Sequence, residues 1–243
     1  MVSRETAPPA PDEARGVFTT DRLELAERYA AWLADAGTVR GLIGPREVPR
    51  LWERHLLNCG VLAEVIPENA TVADLGSGAG LPGLVLAIAR PDLSVTLVEP
   101  LLRRTTFLEE VAADLSLEQV RVVRGRAEVL HGSERFDVVT ARALAPLDRL
   151  LGWAMPLVKD SGVLLAMKGE TAEVEIADSR EVWSSLGCAS PELAVLGKGR
   201  VPSPTRVVRV AWAPGREVGW PLAPSPRGPG ASSGRRSRKG RTR

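Results

Sequence analysis

Short runs of β-branched and apolar residues alternate with helical segments through the middle of the chain. The β-rich runs lie at 70–75, 93–99, 120–123, 136–141 and 162–167, and the helical segments lie near 82–90, 105–115, 146–158 and 171–186. Strand, helix and strand in succession give parallel pairing with right-handed crossovers. The alternation therefore predicts an α/β fold built on a parallel sheet.

Two further β-rich runs follow, and the link between them is short. LAVLG lies near residue 193 and TRVVRVAW covers 205–212, with about eight residues between them. A parallel crossover needs a dozen residues or more, whereas an antiparallel hairpin fits this link. We predict a seven-stranded, mostly parallel sheet with an antiparallel last strand. That is not the usual dinucleotide-binding layout of two mirrored halves.

The segment before the alternation has helical spacing. Apolar side chains recur at intervals of three and four at Leu23, Ala26, Ala30 and Leu33. Gly37 supplies a stop for this helix, and Pro49 suits the first turn of a second one. We predict an N-terminal helical cap over residues 19–66 and a main domain over 67–212.

The two ends of the chain have a different composition. Residues 1–18 contain no apolar run of signal-peptide length, and no stretch of about 18 apolar residues occurs anywhere. The tail, 213–243, has eight basic residues and one acidic residue among Pro, Gly and Ser, so its net charge is +7, whereas the preceding chain carries −5. Such segments bury too little apolar surface to offset chain entropy. We predict disorder at both ends, a cytoplasmic protein without a membrane partner, and a tail that either solubilises the protein or contacts nucleic acid.

Cysteine and histidine are scarce. Cys59 and Cys188 lie in unrelated contexts that match neither a disulfide framework nor metal-ligand spacing. We therefore expect no metal and two small buried side chains. His131 is assigned to a loop, and His55, on a helix with apolar flanks, is assigned to packing rather than chemistry.

The stretch DLGSGAGLPG (74–83) follows the first β-rich run. Gly78, Gly80 and Gly83 match G-x-G-x-x-G, the opening of the phosphate loop in dinucleotide enzymes. Glu99 lies 21 residues after Gly78, about where a ribose-binding acid belongs. Taken alone, this pattern favours a nicotinamide or flavin cofactor.

Asp74 changes that interpretation because it ends the β-rich run, where a pyrophosphate would have to pass. The methionine end of S-adenosylmethionine is net positive, whereas a pyrophosphate is net negative, and a carboxylate attracts the former. The glycines keep their role, since they permit a tight turn and close approach of the backbone to a ligand. We predict a loop that binds S-adenosylmethionine through Asp74, Gly78 and Gly80, with Glu99 accepting hydrogen bonds from the ribose hydroxyls.

Several motifs occur in order along the chain and carry a resemblance to a known family. They are HLL at 55–57, GLPG at 80–83, RAE at 126–128, ARA at 141–143, MKG at 167–169 and TR at 205–206. Over roughly residues 20–212 the chain resembles the bacterial 16S ribosomal RNA guanine-N7 methyltransferases, the glucose-inhibited division protein B family. The resemblance implies a class I, Rossmann-like, S-adenosylmethionine-dependent methyltransferase with an N-terminal helical cap. It also implies the substrate: N7 of a guanine, expected to be guanine 527, in the decoding-region loop of 16S ribosomal RNA, either free or within the 30S subunit.

The resemblance also assigns site residues by position. The family's cofactor contacts fall on Gly76, Leu81, Ala127, Glu128 and Arg142. The chain departs from the family at EPLLRR (99–104), where an Asp-Ser pair and a Lys-Arg are common. Glu99 keeps the carboxylate but places it one methylene further out.

Basic residues lie at or just beyond the strand ends, where ligands bind in open α/β sheets. We assign Arg142, Arg126, Arg206 and Lys168 to catalysis, and Arg103, Arg126 and Arg206 to RNA binding. Grouped at one rim, they would form a cradle for phosphates and base edges.

Missing motifs narrow the chemistry. No Asn or Asp followed by Pro-Pro and an aromatic residue comes after the fourth β-rich run, and no Pro-Cys nucleophile occurs. Guanine N7 has an in-plane lone pair and no proton to lose, so its methylation needs positioning more than a general base. Arginine or lysine can pair with guanine O6 while charge develops on the ring.

Three alternatives remain open from the sequence. One is a nicotinamide-dependent oxidoreductase, and another is a non-catalytic RNA-binding module with a vestigial cofactor loop. The third is a ribose 2′-O-methyltransferase, because Lys168 and Glu170 match part of a Lys-Asp-Lys-Glu set. No convincing second lysine lies at a strand end before Asp74.

Overall fold

The computed structural model describes residues 7–215 and centres on one seven-stranded sheet. The strands are β1 (Thr71–Leu75), β2 (Ser94–Glu99), β3 (Val120–Arg124), β4 (Phe136–Arg142), β5 (Val158–Lys168), β6 (Glu192–Leu196) and β7 (Thr205–Ala211). Their order is β3-β2-β1-β4-β5-β7-β6. The first five strands pair in parallel, and β7 is antiparallel to both β5 and β6. The predicted sheet, with its antiparallel last strand, is confirmed.

Helices cover both faces of this sheet. They are α1 (Thr20–Trp32), α2 (Leu57–Gly60), α3 (Gly83–Ala89), α4 (Leu102–Asp114), α5 (Leu147–Ala154), α6 (Ala172–Asp178) and α7 (Arg180–Leu186). Alternation along the strands separates two apolar clusters: Val72 packs with α3, α4 and the cap, whereas the next residue, Ala73, packs with α5. Cys59 and Cys188 are both buried, as predicted.

Two helical boundaries differ from the sequence prediction. The helix expected over 146–158 ends at Ala154, because Pro156 lacks a backbone N–H; a 3₁₀ turn follows, and β5 already begins at Val158. The helix expected over 171–186 is two helices. Between them the Ser179 hydroxyl is buried and donates to the Ile176 carbonyl, a local bond that competes with helical pairing.

The cap combines regular helices with tighter and wider turns. A π turn over Leu33–Gly37 extends α1, and α2 is preceded by a 3₁₀ turn (Pro45–Arg50) and a π turn (Trp52–Leu56). A further 3₁₀ turn, Val61–Val65, ends the cap. Both α1 and α2 pack on α3, the helix that follows the glycine loop.

Part of the N-terminal segment is ordered, although its composition led us to expect disorder through residue 18. Asp12–Gly16 forms a 3₁₀ turn, and Phe18 is buried with its ring edge-on to Trp52 at 6.4 Å. The Trp52 indole N–H donates to the Pro8 carbonyl at 2.9 Å. A few apolar anchors thus order a segment whose average composition is polar. Residues 1–6 and 216–243, which include most of the predicted basic tail, lie outside the described residues.

Neither a membrane-spanning helix nor a metal-ligand cluster occurs within residues 7–215. No helix there combines the length and the apolar character needed to cross a bilayer. Side chains of His, Cys, Asp and Glu do not gather there in groups of three or more that could hold a metal ion.

Candidate active site

The strand register brings the sequence motifs together at the carboxyl ends of the strands. Leu75 pairs with Ala141, so the glycine loop after β1 and Arg142 at the end of β4 are neighbours. Lys168, at the end of β5, pairs with Arg206 on β7. Residues far apart in the sequence therefore share one edge of the sheet.

The glycine loop turns through backbone conformations that other residues rarely adopt. Gly76 and Gly78 have φ angles of +69° and +57°. A Cβ on Gly76 would lie 2.5 Å from Leu144 Cδ1, so glycine here also permits close contact with the loop that follows β4. Tyr29 on α1 holds the glycine loop from the cap, because its hydroxyl donates to the Ala79 carbonyl at 2.6 Å.

Asp74 lies fully buried beneath this loop. Its Oδ2 accepts the Gly83 N–H at 3.0 Å, which ties β1 to the start of α3. Its Oδ1 is buried and has no hydrogen-bond partner among the described residues. Burial raises the pKa of Asp74 to about 7, although the Ser77 hydroxyl, the Gly83 bond and the Arg142 charge oppose the shift. The carboxyl group can therefore hold or release a proton near neutral pH.

Glu99 connects the end of β2 to the glycine loop. The carboxylate is buried and accepts the backbone N–H groups of Gly78 and Leu101, both at 3.1 Å. Arg104 Nη1 lies 3.5 Å from the same carboxylate. Glu99 thus braces the loop in addition to lying where a ribose-binding acid was predicted.

Two cavities open at this edge of the sheet. The smaller has a volume of about 250 Å³ and mostly apolar walls that include Gly76, Ala127 and Glu128. The larger, of about 860 Å³, contains Arg142, Lys168 and Arg206 together with Arg54 and Asn58 from the cap. Leu144 lines both cavities, so the loop over 143–146 separates them.

Arg142 is half-buried and bound to the cap. Its Nη1 lies 3.3 Å from Cys59 Sγ, and its Nη2 donates to the Arg54 carbonyl at 3.2 Å and to His55 Nδ1 at 2.7 Å. The other ring nitrogen of His55, Nε2, lies 3.0 Å from Glu47 Oε2. Burial and the Arg142 charge lower the pKa of His55 to about 4. The assignment of His55 to packing was therefore incomplete, because the ring also hydrogen-bonds to a predicted site residue.

Lys168 is held inside the wall of the larger cavity, with only 8% of its side chain exposed. Its Nζ donates to the Ala145 carbonyl and to Glu175 Oε2, both at 2.7 Å. Glu175 also accepts the Leu147 N–H at 3.0 Å. Burial would raise the pKa of Glu175, but the hydrogen bond and charge of Lys168 hold it below its usual value. The pair fixes the loop that separates the cavities.

The predicted basic residues divide between the cavities. Arg142, Lys168 and Arg206 line the larger one, whereas Arg126 lines the smaller one. Arg103 is exposed on α4 and lines neither. Another predicted cofactor contact, Leu81, is partly buried against the core beside the glycine loop.

Sequence reasoning missed the contribution of the cap and of α6. Arg54, Asn58 and Glu175 all line the larger cavity without having been singled out. The HLL motif at 55–57 was a signal for the first two, because residues flanking it face the site. Glu175 had no comparable signal.

Comparison with known proteins identifies relatives along nearly the whole chain. Residues 22–201 match the family described as rRNA small subunit methyltransferase G. Ribosomal RNA small subunit methyltransferase G of Nocardioides sp. is 65% identical over 222 residues, which cover 91% of this chain and 88% of the relative. The protein of that name from Thermobifida fusca is 55% identical over 234 residues, which cover 96% and 97% of the two chains.

Solved structures of low sequence identity share the fold. Precorrin-6y C5,15-methyltransferase from Geobacter metallireducens superposes with a TM-score of 0.50 at 14% identity, covering 71% of this chain and 91% of that one. A tRNA methyltransferase from B. subtilis also gives a TM-score of 0.50, at 18% identity, covering 64% of this chain and 65% of that one.

The family match over residues 22–201 and the relatives at 65% and 55% identity decide the family. They confirm the predicted family and cofactor, because the chain belongs to the rRNA small subunit methyltransferase G family, whose members are S-adenosylmethionine-dependent methyltransferases.

Proposed function

We propose that the protein methylates N7 of a guanine in 16S ribosomal RNA, with S-adenosylmethionine as the methyl donor. The observation that carries the proposal is the pair of adjoining cavities, one mostly apolar and one basic, separated by a single loop at 143–146. A methyl donor and a polyanionic acceptor require such unlike sites side by side.

The residues around the smaller cavity fit the cofactor. A Cβ on Gly76 would strike Leu144, so glycine keeps this wall close-packed, and Ala127 and Glu128 line the same cavity. Asp74 contributes a buried carboxylate oxygen that has no hydrogen-bond partner within residues 7–215, which suits a cationic ligand at the loop. The residues that would hold S-adenosylmethionine are Asp74, Gly76, Gly78, Gly80, Leu81, Glu99, Ala127, Glu128 and Arg142. When bound, the cofactor supplies the electrophilic methyl group.

The larger cavity suits the guanine. Arg142 and Arg206 can donate to its O6 or to flanking phosphates, and Lys168 keeps the wall in place through Ala145 and Glu175. Arg126 and Arg103 would extend the phosphate contacts outward. N7 attacks through a lone pair and loses no proton, so these cations position the base and offset its developing charge.

Specific chemistry tests this proposal. The protein is incubated with labelled S-adenosylmethionine and either 16S ribosomal RNA or 30S subunits from cells that lack the enzyme. The RNA is then treated with borohydride and aniline, which cleave at N7-methylguanosine. We expect label and one new cleavage site. Label in a nucleotide that resists alkali, with no aniline cleavage, would instead identify ribose 2′-O-methylation.

A further inference from the structure

Residues of the cap contact the guanidinium of Arg142. Three of its contacts are with consecutive or nearby cap residues: the Arg54 carbonyl, His55 Nδ1 and Cys59 Sγ. The contact with His55 is the shortest, at 2.7 Å, and joins residues 87 positions apart. Arg142 also lines the larger cavity, so its orientation affects whatever binds there.

Hydrogen-bond chemistry fixes the protonation of His55. A guanidinium has five N–H donors and no acceptor, so His55 Nδ1 must be the acceptor in this contact. The ring proton then resides on Nε2, which donates to Glu47 Oε2 at 3.0 Å. The bonds run in one direction, from Arg142 to His55 and from His55 to Glu47.

The surroundings keep the ring neutral. Only 9% of His55 is exposed, and the charged groups that face it are Glu47, Arg54 and Arg142. Protonation would place an N–H against the guanidinium and add a second positive charge beside it. Because a neutral acceptor orients Arg142 without cancelling its charge, the full cation remains available to a ligand, which a carboxylate partner would not allow.

We infer that His55 is a positioning residue for Arg142: its Nδ1 lone pair fixes the guanidinium so that the remaining N–H groups face the methyl-transfer site. The inference rests on the proposed function, in which Arg142 contacts cofactor and guanine. His55 itself lines neither of the two cavities.

Two substitutions separate positioning from packing. His55→Asn retains an acceptor on Cγ, about where Nδ1 lies, but loses the ring and the Glu47 bond. His55→Leu fills more volume with apolar atoms but offers no acceptor. We expect kcat for methyl transfer to fall about 10- to 100-fold in His55→Leu, as for one lost hydrogen bond to a charged group, and within about threefold of the unmodified protein in His55→Asn.

Melting temperature and a matched control complete the comparison. If His55 served only for packing, His55→Leu would lower the melting temperature and the activity less than His55→Asn does. Cys59→Ala removes another Arg142 contact, but a weak acceptor, and should leave kcat within about threefold. Equal activity of His55→Leu and His55→Asn, after correction for the folded fraction, would overturn the inference.

Two further readouts do not require methyl transfer. Nitrogen NMR at neutral pH should show His55 protonated at Nε2 only, and the chain's two histidines make assignment simple. Calorimetry should show weaker S-adenosylmethionine binding in His55→Leu than in His55→Asn. If neither the unmodified protein nor its variants form N7-methylguanosine, the proposed function fails. The NMR and calorimetry measurements still decide the role of His55 in that case. A proton on Nδ1 would overturn that role.

Discussion

Asp74 and His55 should make opposite contributions to the pH dependence of stability. Their folded-state pKa values are about 7 and about 4, against ordinary values of 3.8 and 6.5. The Asp74 value is raised, so its contribution is fully present below pH 3.8 and is lost as pH rises through 7. The His55 value is lowered, so its contribution is present above pH 6.5 and is lost as pH falls towards 4.

The magnitudes nearly cancel between pH 7 and pH 5. Each pH unit between the folded and unfolded pKa changes the unfolding free energy by about 1.4 kcal/mol. On acidification from pH 7 to pH 5, Asp74 raises the unfolding free energy by about 2 kcal/mol and His55 lowers it by about 2 kcal/mol. The unmodified protein should therefore show little net change from these two groups.

Single substitutions should expose each contribution. Asp74→Asn can still accept the Gly83 N–H, and it should lose about 2 kcal/mol of unfolding free energy on acidification, because His55 is then the one of the two buried groups that titrates. His55→Asn should gain a similar amount, because Asp74 is then the one that titrates. Urea unfolding at pH 7, 6 and 5 without cofactor measures both slopes.

The double substitution is the matched control. Exposed carboxylates titrate alike in all four proteins, so differences between slopes isolate the two buried groups. The double variant should again show a slope close to that of the unmodified protein. Parallel slopes in the two single variants would refute the reasoning that burial sets both pKa values.

Two other substitutions test the site, and one deletion tests the tail. Gly78→Val forces a β-branched residue into a φ of +57°, so calorimetry should show that the affinity for S-adenosylmethionine falls at least about 10-fold. Gly152→Ala is the control, because a Cβ there meets nothing within 4 Å, and it should bind S-adenosylmethionine normally. Arg142→Ala should abolish most methyl transfer. It should also lower the unfolding free energy by about 1.5–3 kcal/mol, because the contacts of Arg142 with the cap are lost. An unfolding free energy unchanged in urea titrations would contradict those contacts. Deleting 216–243 should flatten the plot of log RNA affinity against log salt by roughly 1.5 to 3.5 units, with kcat unchanged at saturation; parallel plots would mean that the tail does not touch RNA.

The sheet was predictable because its determinants are local. Apolar runs of strand length, glycine turns and one short link before β7 are all visible in consecutive residues. The interruption of the helix at Ser179 was not, because it depends on whether a buried hydroxyl bonds its own helix. The early start of β5 has a local signal in Pro156, which the periodicity of its neighbours obscured.

The site was predictable only where its residues lie at an end of a strand. Arg142 and Lys168 end the parallel strands β4 and β5, and Arg206 lies near the start of β7, whose antiparallel pairing sets it opposite Lys168. The residues that contact them could not be predicted, because those contacts depend on the tertiary structure. The sequence analysis grouped Arg142 with the other basic residues at one rim, but His55, 87 residues away, binds it. No spacing rule links two such positions.

The cap is better understood as a wall of the site than as an addition to it. The Tyr29 hydroxyl donates a hydrogen bond to the Ala79 carbonyl of the glycine loop, and His55 accepts one from Arg142 at the end of β4. Leu56 of the cap and Val72 of β1 belong to the same apolar cluster, so the cap cannot move away without exposing core surface. The glycine loop, which we propose binds the cofactor, and the proposed base-positioning arginine are thus held by one element. A disturbance of the cap should affect methyl-donor binding and guanine positioning together, even though cap and sheet are separate in the sequence.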